Sequence, residues 1–111
     1  LAFLDIHPSA PGHTLVIPKK HAETILDYSP EELLDLWTTV QRISRALQKT
    51  FRTESLTIGI NHGEVAGIHH LHVHIIPRFH GDGDGIIQSV VHNRPREPLK
   101  TIQEKIARNS V

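Results

Sequence analysis

Hydrophobic and polar positions alternate most strictly in His70–Ile76, where each histidine is followed by an aliphatic residue. Successive side chains of a strand point to opposite faces and rise about 3.3 Å each. The pattern therefore predicts a strand with His70, His72 and His74 on one face, about 6.6 Å apart, and aliphatic residues on the other. Each imidazole has two ring nitrogens that need partners, so this face predicts a site rather than a core.

Other apolar runs predict the remaining strands. Residues 1–5 have the pattern of a buried strand, and residues 14–17 and 55–60 follow as further strands between turn-forming residues. A short strand is also expected at 86–91. With the histidine strand, these runs predict a sheet of about five strands.

Two segments have the spacing of amphipathic helices. Ser29 suits the N-cap, Pro30 the first helical position, and Glu32 the capping-box acid. Apolar residues at helical spacing continue this long helix to about Lys49. They are Leu33, Leu36, Trp37, Val40, Ile43, Ala46 and Leu47. A C-terminal helix is expected from about Glu97.

The order of these elements is β-β-α-β-β-α with short connections, which predicts an α+β fold. We expect an antiparallel sheet with the long helix packed on it, in one domain spanning residues 1–111. The chain contains no methionine and opens on a strand already under way at Leu1. We therefore expect the native polypeptide to begin earlier.

Charge and composition narrow the class of protein. Twelve Lys and Arg balance twelve Asp and Glu, so the net charge gives no reason to expect a nucleic acid or a membrane as a partner. There is no cysteine, and no apolar run approaches the roughly 20 residues of a membrane span. A cytoplasmic protein is the default expectation.

Two chemistries fit the histidine face. The first is a metal centre. Against it, ligands about 2.1 Å from one metal ion lie at most about 4 Å apart, whereas the outer histidines of the row are about 13 Å apart. No Asp or Glu stands beside the row as a ligand or orienting group. The alternative is a histidine nucleophile for phosphate chemistry, for which the middle residue His72 is the natural choice. Like-charge crowding should keep it neutral.

The segment His70–Ile76 matches at every position the signature of the histidine triad (HIT) family, in which three histidines alternate with aliphatic residues. The resemblance covers nearly the whole chain. It includes Leu4-Asp5-Ile6, Gly12-His13, Val16-Ile17-Pro18-Lys19-Lys20-His21, Asn61-His62-Gly63 and Ala66-Gly67. The chain is thus identified as a member of this family, with a HIT-like fold as the expectation.

The resemblance implies hydrolysis or nucleotidyl transfer at the α-phosphate of nucleoside phosphoramidates or dinucleoside polyphosphates, through a covalent nucleotidyl group on His72. His70 would supply the carbonyl that holds the ring proton of His72, while His74 and His13 would contact the phosphate and the leaving group. The nucleotide would be bound by Asp5, Ile6, Asn61, Gly67 and Ile68. A purine nucleotide, AMP-like, is the expected ligand. The alternative is a regulatory nucleotide-binding module with little turnover.

The chain departs from the family pattern between Gly67 and His70, where many members have a Gln and a hydroxyl residue or Glu. Backbone amides would have to replace these donors. Many members also carry a zinc-binding Cys pair upstream, so a structural zinc is left open, while no cofactor is expected for the chemistry. A homodimer is expected, and its interface would explain why the apolar residue Leu34 lies off the buried stripe of the long helix. The sequence does not decide whether Arg78 contacts a polyphosphate or forms a salt bridge.

Overall fold

A computed structural model describes residues 1–110, which form an antiparallel sheet and two helices. The elements are β1 (Ala2–Leu4), β2 (Thr14–Val16), α1 (Pro30–Phe51), β3 (Leu56–Gly59), β4 (Val73–Pro77) and α2 (Leu99–Asn109). The strand order is β1-β2-β4-β3. The α+β fold with the long helix is confirmed, but the described residues contain four strands rather than about five. The segment 86–91 is not a strand: it contains a single turn of 3₁₀ helix at Ile87–Ser89.

The sheet has one face in the core and one face open to the site. Val16 pairs with Val73, and both are fully buried against α1, together with Ile75. On the opposite face, Leu15 and Gly59 flank His74 from the two neighbouring strands. The alternation of β4 therefore places aliphatic residues under the helix and His74 on the far side.

The start of α1 follows the predicted capping box. The Ser29 hydroxyl accepts a hydrogen bond from the Glu32 amide, and the Glu32 carboxylate accepts one from the Ser29 amide. These bonds satisfy amides that have no partner within the helix. The buried stripe is narrower than predicted, since Leu36, Val40 and Leu47 are buried while the Trp37 side chain is 43% exposed.

The expectation that residues 1–5 form a buried strand is wrong. The strand β1 lies at the edge of the sheet and pairs only with β2, so Phe3 and Leu4 remain exposed. The C-terminal helix α2 is also more open than its pattern suggests, because none of its side chains is buried. Within residues 1–110, neither helix is long and apolar enough to cross a membrane.

Candidate functional site

The three histidines of the signature do not form a single row. The strand β4 begins at Val73, so only His74 lies within it, and residues 70–72 precede the ladder. The amide of Leu71 donates instead to the Ala22 carbonyl oxygen at 2.9 Å. The His70 ring consequently turns to His21, with ring centroids 4.7 Å apart, while the His72 and His74 rings lie 5.1 Å apart. The prediction of one shared face is therefore wrong for His70.

The tautomer of His72 is set by a backbone carbonyl. Its Nδ1 lies 2.8 Å from the carbonyl oxygen of His70, two residues earlier. A carbonyl oxygen only accepts, so Nδ1 carries the proton and donates it. The lone pair of His72 is then on Nε2. The residue is buried, which holds the ring in this orientation.

His13 and His74 form a directed hydrogen-bond chain. The amide of Ser9 donates to His13 Nδ1 at 3.0 Å, so the proton of neutral His13 is on Nε2. That Nε2–H donates to His74 Nδ1 at 2.9 Å, which places the proton of His74 on its own Nε2. Among the described residues, this buried Nε2–H has no hydrogen-bond partner. The chain of hydrogen bonds therefore ends in a buried donor, the Nε2–H of His74.

The His74 ring is held neutral by its surroundings. Burial lowers the pKa of His74, and the neighbouring rings of His72 and His13 lower it further, with a small opposing effect of Asp5. A neutral ring has one donor and one acceptor nitrogen. This is the state that the chain from Ser9 requires.

Asp5 lies beside this pair, contrary to the expectation that no carboxylate stands near the histidines. The Asp5 amide donates to the His13 carbonyl oxygen at 2.9 Å, which brings the two residues together across the β1–β2 hairpin. Its Oδ2 is 3.6 Å from His13 Nε2, while Oδ1 accepts from the His7 amide at 2.8 Å. The His7 amide is the main reason that the pKa of Asp5 is lowered, and the nearby imidazoles add to it. Sequence reasoning missed this contact because it depends on the hairpin register.

The cluster has the composition of a metal site but not its hydrogen bonding. Ligand atoms of Asp5, His13 and His74 all lie within 4.8 Å of one another. A metal-bound histidine normally donates its other ring N–H to an acceptor. Here the Ser9 amide donates to His13 Nδ1, so the nitrogen that faces the cluster carries the proton. The three side chains are thus arranged as a hydrogen-bond chain.

A second pair of histidines, His21 and His70, has a backbone carbonyl oxygen as its outer partner, where the first pair has a backbone amide. His21 Nδ1 and His70 Nδ1 are 3.1 Å apart, and His70 Nε2 lies 3.3 Å from the Pro18 carbonyl oxygen. That carbonyl holds the proton of His70 on Nε2 and leaves Nδ1 as an acceptor. The sequence indicates no role for His21, because only the fold brings it to residue 70.

The expected nucleotide contacts are only partly brought together. Asn61 follows β3 and lines the same cavity as His13 and His74. Ile6 is 85% exposed at the end of the hairpin. Gly67, at φ +72°, and Ile68 lie in the loop before the histidines and do not line that cavity.

The cavity itself, of about 760 Å³, was not anticipated. It lies on the histidine side of the sheet and is bordered on one side by the segment 86–91, called here the wall segment. Arg78 forms the salt bridge that the sequence left open: Nε and Nη2 donate to the two oxygens of Asp82 at 2.9 and 3.0 Å. The amino-acid sequence does not indicate which carboxylate Arg78 pairs with.

Comparisons with known proteins agree on one family. The family model described as HIT domain matches residues 1–81. The Bacillus subtilis protein named Protein hit is 39% identical over 112 residues, covering 97% of this chain and 77% of that protein. The Schizosaccharomyces pombe bis(5′-nucleosyl)-tetraphosphatase (asymmetrical) is 42% identical over 83 residues, covering 73% of this chain; the match spans only 46% of that longer protein.

Solved structures give the same result for the fold. A crystal structure of a HIT family member from Bacillus subtilis aligns with a TM-score of 0.82 at 37% identity, covering all of this chain and 82% of that one. A zinc-bound histidine triad family protein from Mycobacterium smegmatis aligns with a TM-score of 0.66 at 31% identity, covering 96% of this chain and 81% of that one.

Proposed function

The chain belongs to the HIT family, and from this premise we propose that it is a nucleotide hydrolase or nucleotidyl transferase acting at the α-phosphate of a nucleotide. The substrates would be nucleoside phosphoramidates or dinucleoside polyphosphates. The observation that carries the proposal is the bond from His72 Nδ1–H to the His70 carbonyl oxygen, since it leaves the Nε2 lone pair for attack. The Schizosaccharomyces pombe relative is named as a bis(5′-nucleosyl)-tetraphosphatase, which supports the same class of reaction for this chain.

In the first step, the Nε2 lone pair of His72 attacks the α-phosphorus and forms a nitrogen–phosphorus bond. The bond to the leaving group breaks, and that group departs with the electron pair and takes up a proton. The nearest source of this proton would be the His13–His74 pair beside the Asp5 carboxylate, which is neutral in the free chain and would take up a proton when the anionic phosphate binds next to it. Positive charge on His72 is stabilised through its bond to the His70 carbonyl.

In the second step, water attacks the phosphorus and the bond to His72 Nε2 breaks. The nucleoside monophosphate is released, and the proton of the water returns to the histidine pair. The Nε2–H of His74, buried and without a partner among the described residues, is placed to donate to a phosphoryl oxygen in both steps. Such donors are most effective where charge develops in the transition state.

The remaining phosphate donors would come from the backbone. The amides of Gly67 and Ile68 would replace the Gln and hydroxyl side chains that many family members have at this point. We assign the ribose hydroxyls to Asp5, whose Oδ2 is not used by the turn at His7. Ile6 would lie against the base and Asn61 against the phosphate or the leaving group. A purine nucleotide, AMP-like, is the proposed ligand.

A structural zinc fits the second histidine pair. Two ligand nitrogens of a tetrahedral zinc ion lie about 3.3 Å apart, close to the 3.1 Å between His21 Nδ1 and His70 Nδ1. The Pro18 carbonyl holds the other nitrogen of His70 as a donor, which is the usual environment of a metal ligand. These residues would supply two of four ligands, and the ion would take no part in the chemical step.

We also propose a homodimer in which each chain contributes the single domain of residues 1–111. The exposed side of α1 carries Leu34, 66% exposed, and Trp37. Large apolar side chains that project from one helix and lie off its buried stripe are suited to contact with a second copy.

The test is release of AMP from adenosine 5′-phosphoramidate, measured with and without EDTA. We expect release that survives EDTA, and a fall in kcat on the order of 10⁴-fold or more in His72→Asn. His92→Asn, a change at an exposed histidine outside the cluster, is the matched control and should retain full activity. Loss of activity with EDTA in the unaltered chain would contradict the proposed mechanism.

A regulatory nucleotide-binding module is the second candidate, favoured by the lack of a Gln or hydroxyl side chain between Gly67 and His70. Tight AMP binding by calorimetry, with no release of AMP from the phosphoramidate, would support the module instead. The His72→Asn variant would then bind AMP with nearly the affinity of the unaltered chain.

A further inference from the structure

The loop after β4 is closed by one guanidinium group. Arg78 donates to both carboxylate oxygens of Asp82, and its Nη1 donates to Thr57 Oγ1 at 3.0 Å and to the Gly85 carbonyl oxygen. The same carboxylate accepts two backbone amides of the loop. The guanidinium and these amides hold the pKa of Asp82 far below its usual value. The loop therefore turns the chain back across the sheet in a fixed direction.

That direction places the wall segment, residues 86–91, over the histidine face. A Cβ built on Gly59 would lie 3.5 Å from Ile87 Cδ1, so the isoleucine packs directly on the backbone of β3. Ile86, Val90 and Val91 are exposed but line the same cavity. The other side of the cavity is formed by residues that include His13, His74 and Asn61.

The charges around the cavity favour an apolar occupant. Arg78 is the only Lys or Arg among the described residues that line it, and its charge is already paired with Asp82. A chain of several phosphates would find no free cation there. An apolar group would find six aliphatic side chains, those of Ile60, of Ile76 and of four residues of the wall segment. A volume of about 760 Å³ is in the range of ligand pockets.

We propose that this cavity is the leaving-group subsite of the enzyme and takes an apolar aromatic or branched group bonded to the scissile phosphorus through nitrogen or oxygen. The inference rests on the proposed function, because it places the departing group beside His74. Arg78 acts as a positioning residue: it holds the wall segment and does not contact the phosphates.

The experiment compares AMP release from two adenosine 5′-phosphoramidates, of 2-phenylethylamine and of methylamine, and from bis(5′-adenosyl) tetraphosphate. The two amines have the same leaving atom and differ in apolar size. We expect kcat/KM for the phenylethyl compound to be about tenfold or more above that of the methyl compound. Ile87→Ser should reduce this ratio severalfold with little change for methylamine. Ile106→Ser, an exposed isoleucine of α2 outside the cavity, should leave the ratio unchanged.

Arg78→Gln distinguishes positioning from phosphate contact. The proposal expects the amine ratio to fall in this variant, with no selective loss on the tetraphosphate. A selective loss on the tetraphosphate would overturn the assignment of Arg78. The subsite is overturned, with the proposed function intact, if both amines react equally or if Ile87→Ser leaves the ratio unchanged. No AMP release from any of the three compounds would overturn both proposals.

Discussion

A methyl group added at Gly12 should destabilise the fold through one identifiable overlap. Gly12 has φ +84°, and a Cβ there would overlap Cε2 of Phe51, at the end of α1. Gly63 has nearly the same φ, +89°, but no atom within 4 Å of its Cβ position. The pair therefore separates backbone strain from steric overlap, with Gly63→Ala as the matched control.

Strain in the left-handed region costs about 1–2 kcal/mol in both variants. The overlap with Phe51 adds about 1–3 kcal/mol in Gly12→Ala alone. With an unfolding entropy of about 2.1 cal/mol/K per residue, each kcal/mol lowers Tm by about 4 °C for a chain of 111 residues. We expect Tm to fall by about 14 °C in Gly12→Ala and about 6 °C in Gly63→Ala.

The assay is thermal unfolding by circular dichroism at one pH, with chemical denaturation as a second measure of the free energy of unfolding. Because Gly12 precedes His13, Gly12→Ala should also disturb the hydrogen bond from His13 to His74. Equal Tm values for the two variants would refute the reasoning, since they would show that the chain avoids the overlap at no cost.

Two further predictions concern the loop and the helix surface. The pKa of Asp82 is lower in the folded chain than its reference value of 3.8, so its stabilisation is present above that pH and is lost as pH falls towards the folded pKa. Asp82→Asn should accordingly lower Tm at neutral pH, with a difference from the unaltered chain that shrinks below about pH 4; a constant difference would contradict this. Leu34→Asp should convert a homodimer to a monomer in light scattering, whereas Leu99→Asp on α2 should not. A monomeric unaltered chain would refute the proposed homodimer.

Local patterns predicted the elements that depend on local physics. The capping box at Ser29 and the alternation of Leu71, Val73 and Ile75 could be read from neighbouring residues, and the structure has both. The exposure of β1 could not be predicted, because it depends on whether a second strand covers that edge. The wall segment has the composition of a strand, but within residues 1–110 it has no partner strand.

In the site, too, features set by neighbouring residues could be predicted and features set by distant residues could not. The signature directed attention to His72 and His74, yet alternation alone placed His70 on their face, where its ring does not lie. The position of the ring is decided by contacts with Pro18 and His21, about 50 residues earlier in the chain. Asp5 escaped notice as a neighbour for a similar reason, since only the β1–β2 hairpin brings it to His13.

The central claim is that His72 forms a covalent bond to the nucleotide. The most direct measurement mixes the protein with adenosine 5′-phosphoramidate in EDTA, quenches in alkaline denaturant to preserve the nitrogen–phosphorus bond, and determines the intact mass. The account predicts one added adenylyl group, mapped to His72 and absent from His72→Asn. Release of AMP with no adduct, or an adduct on another histidine, would contradict it.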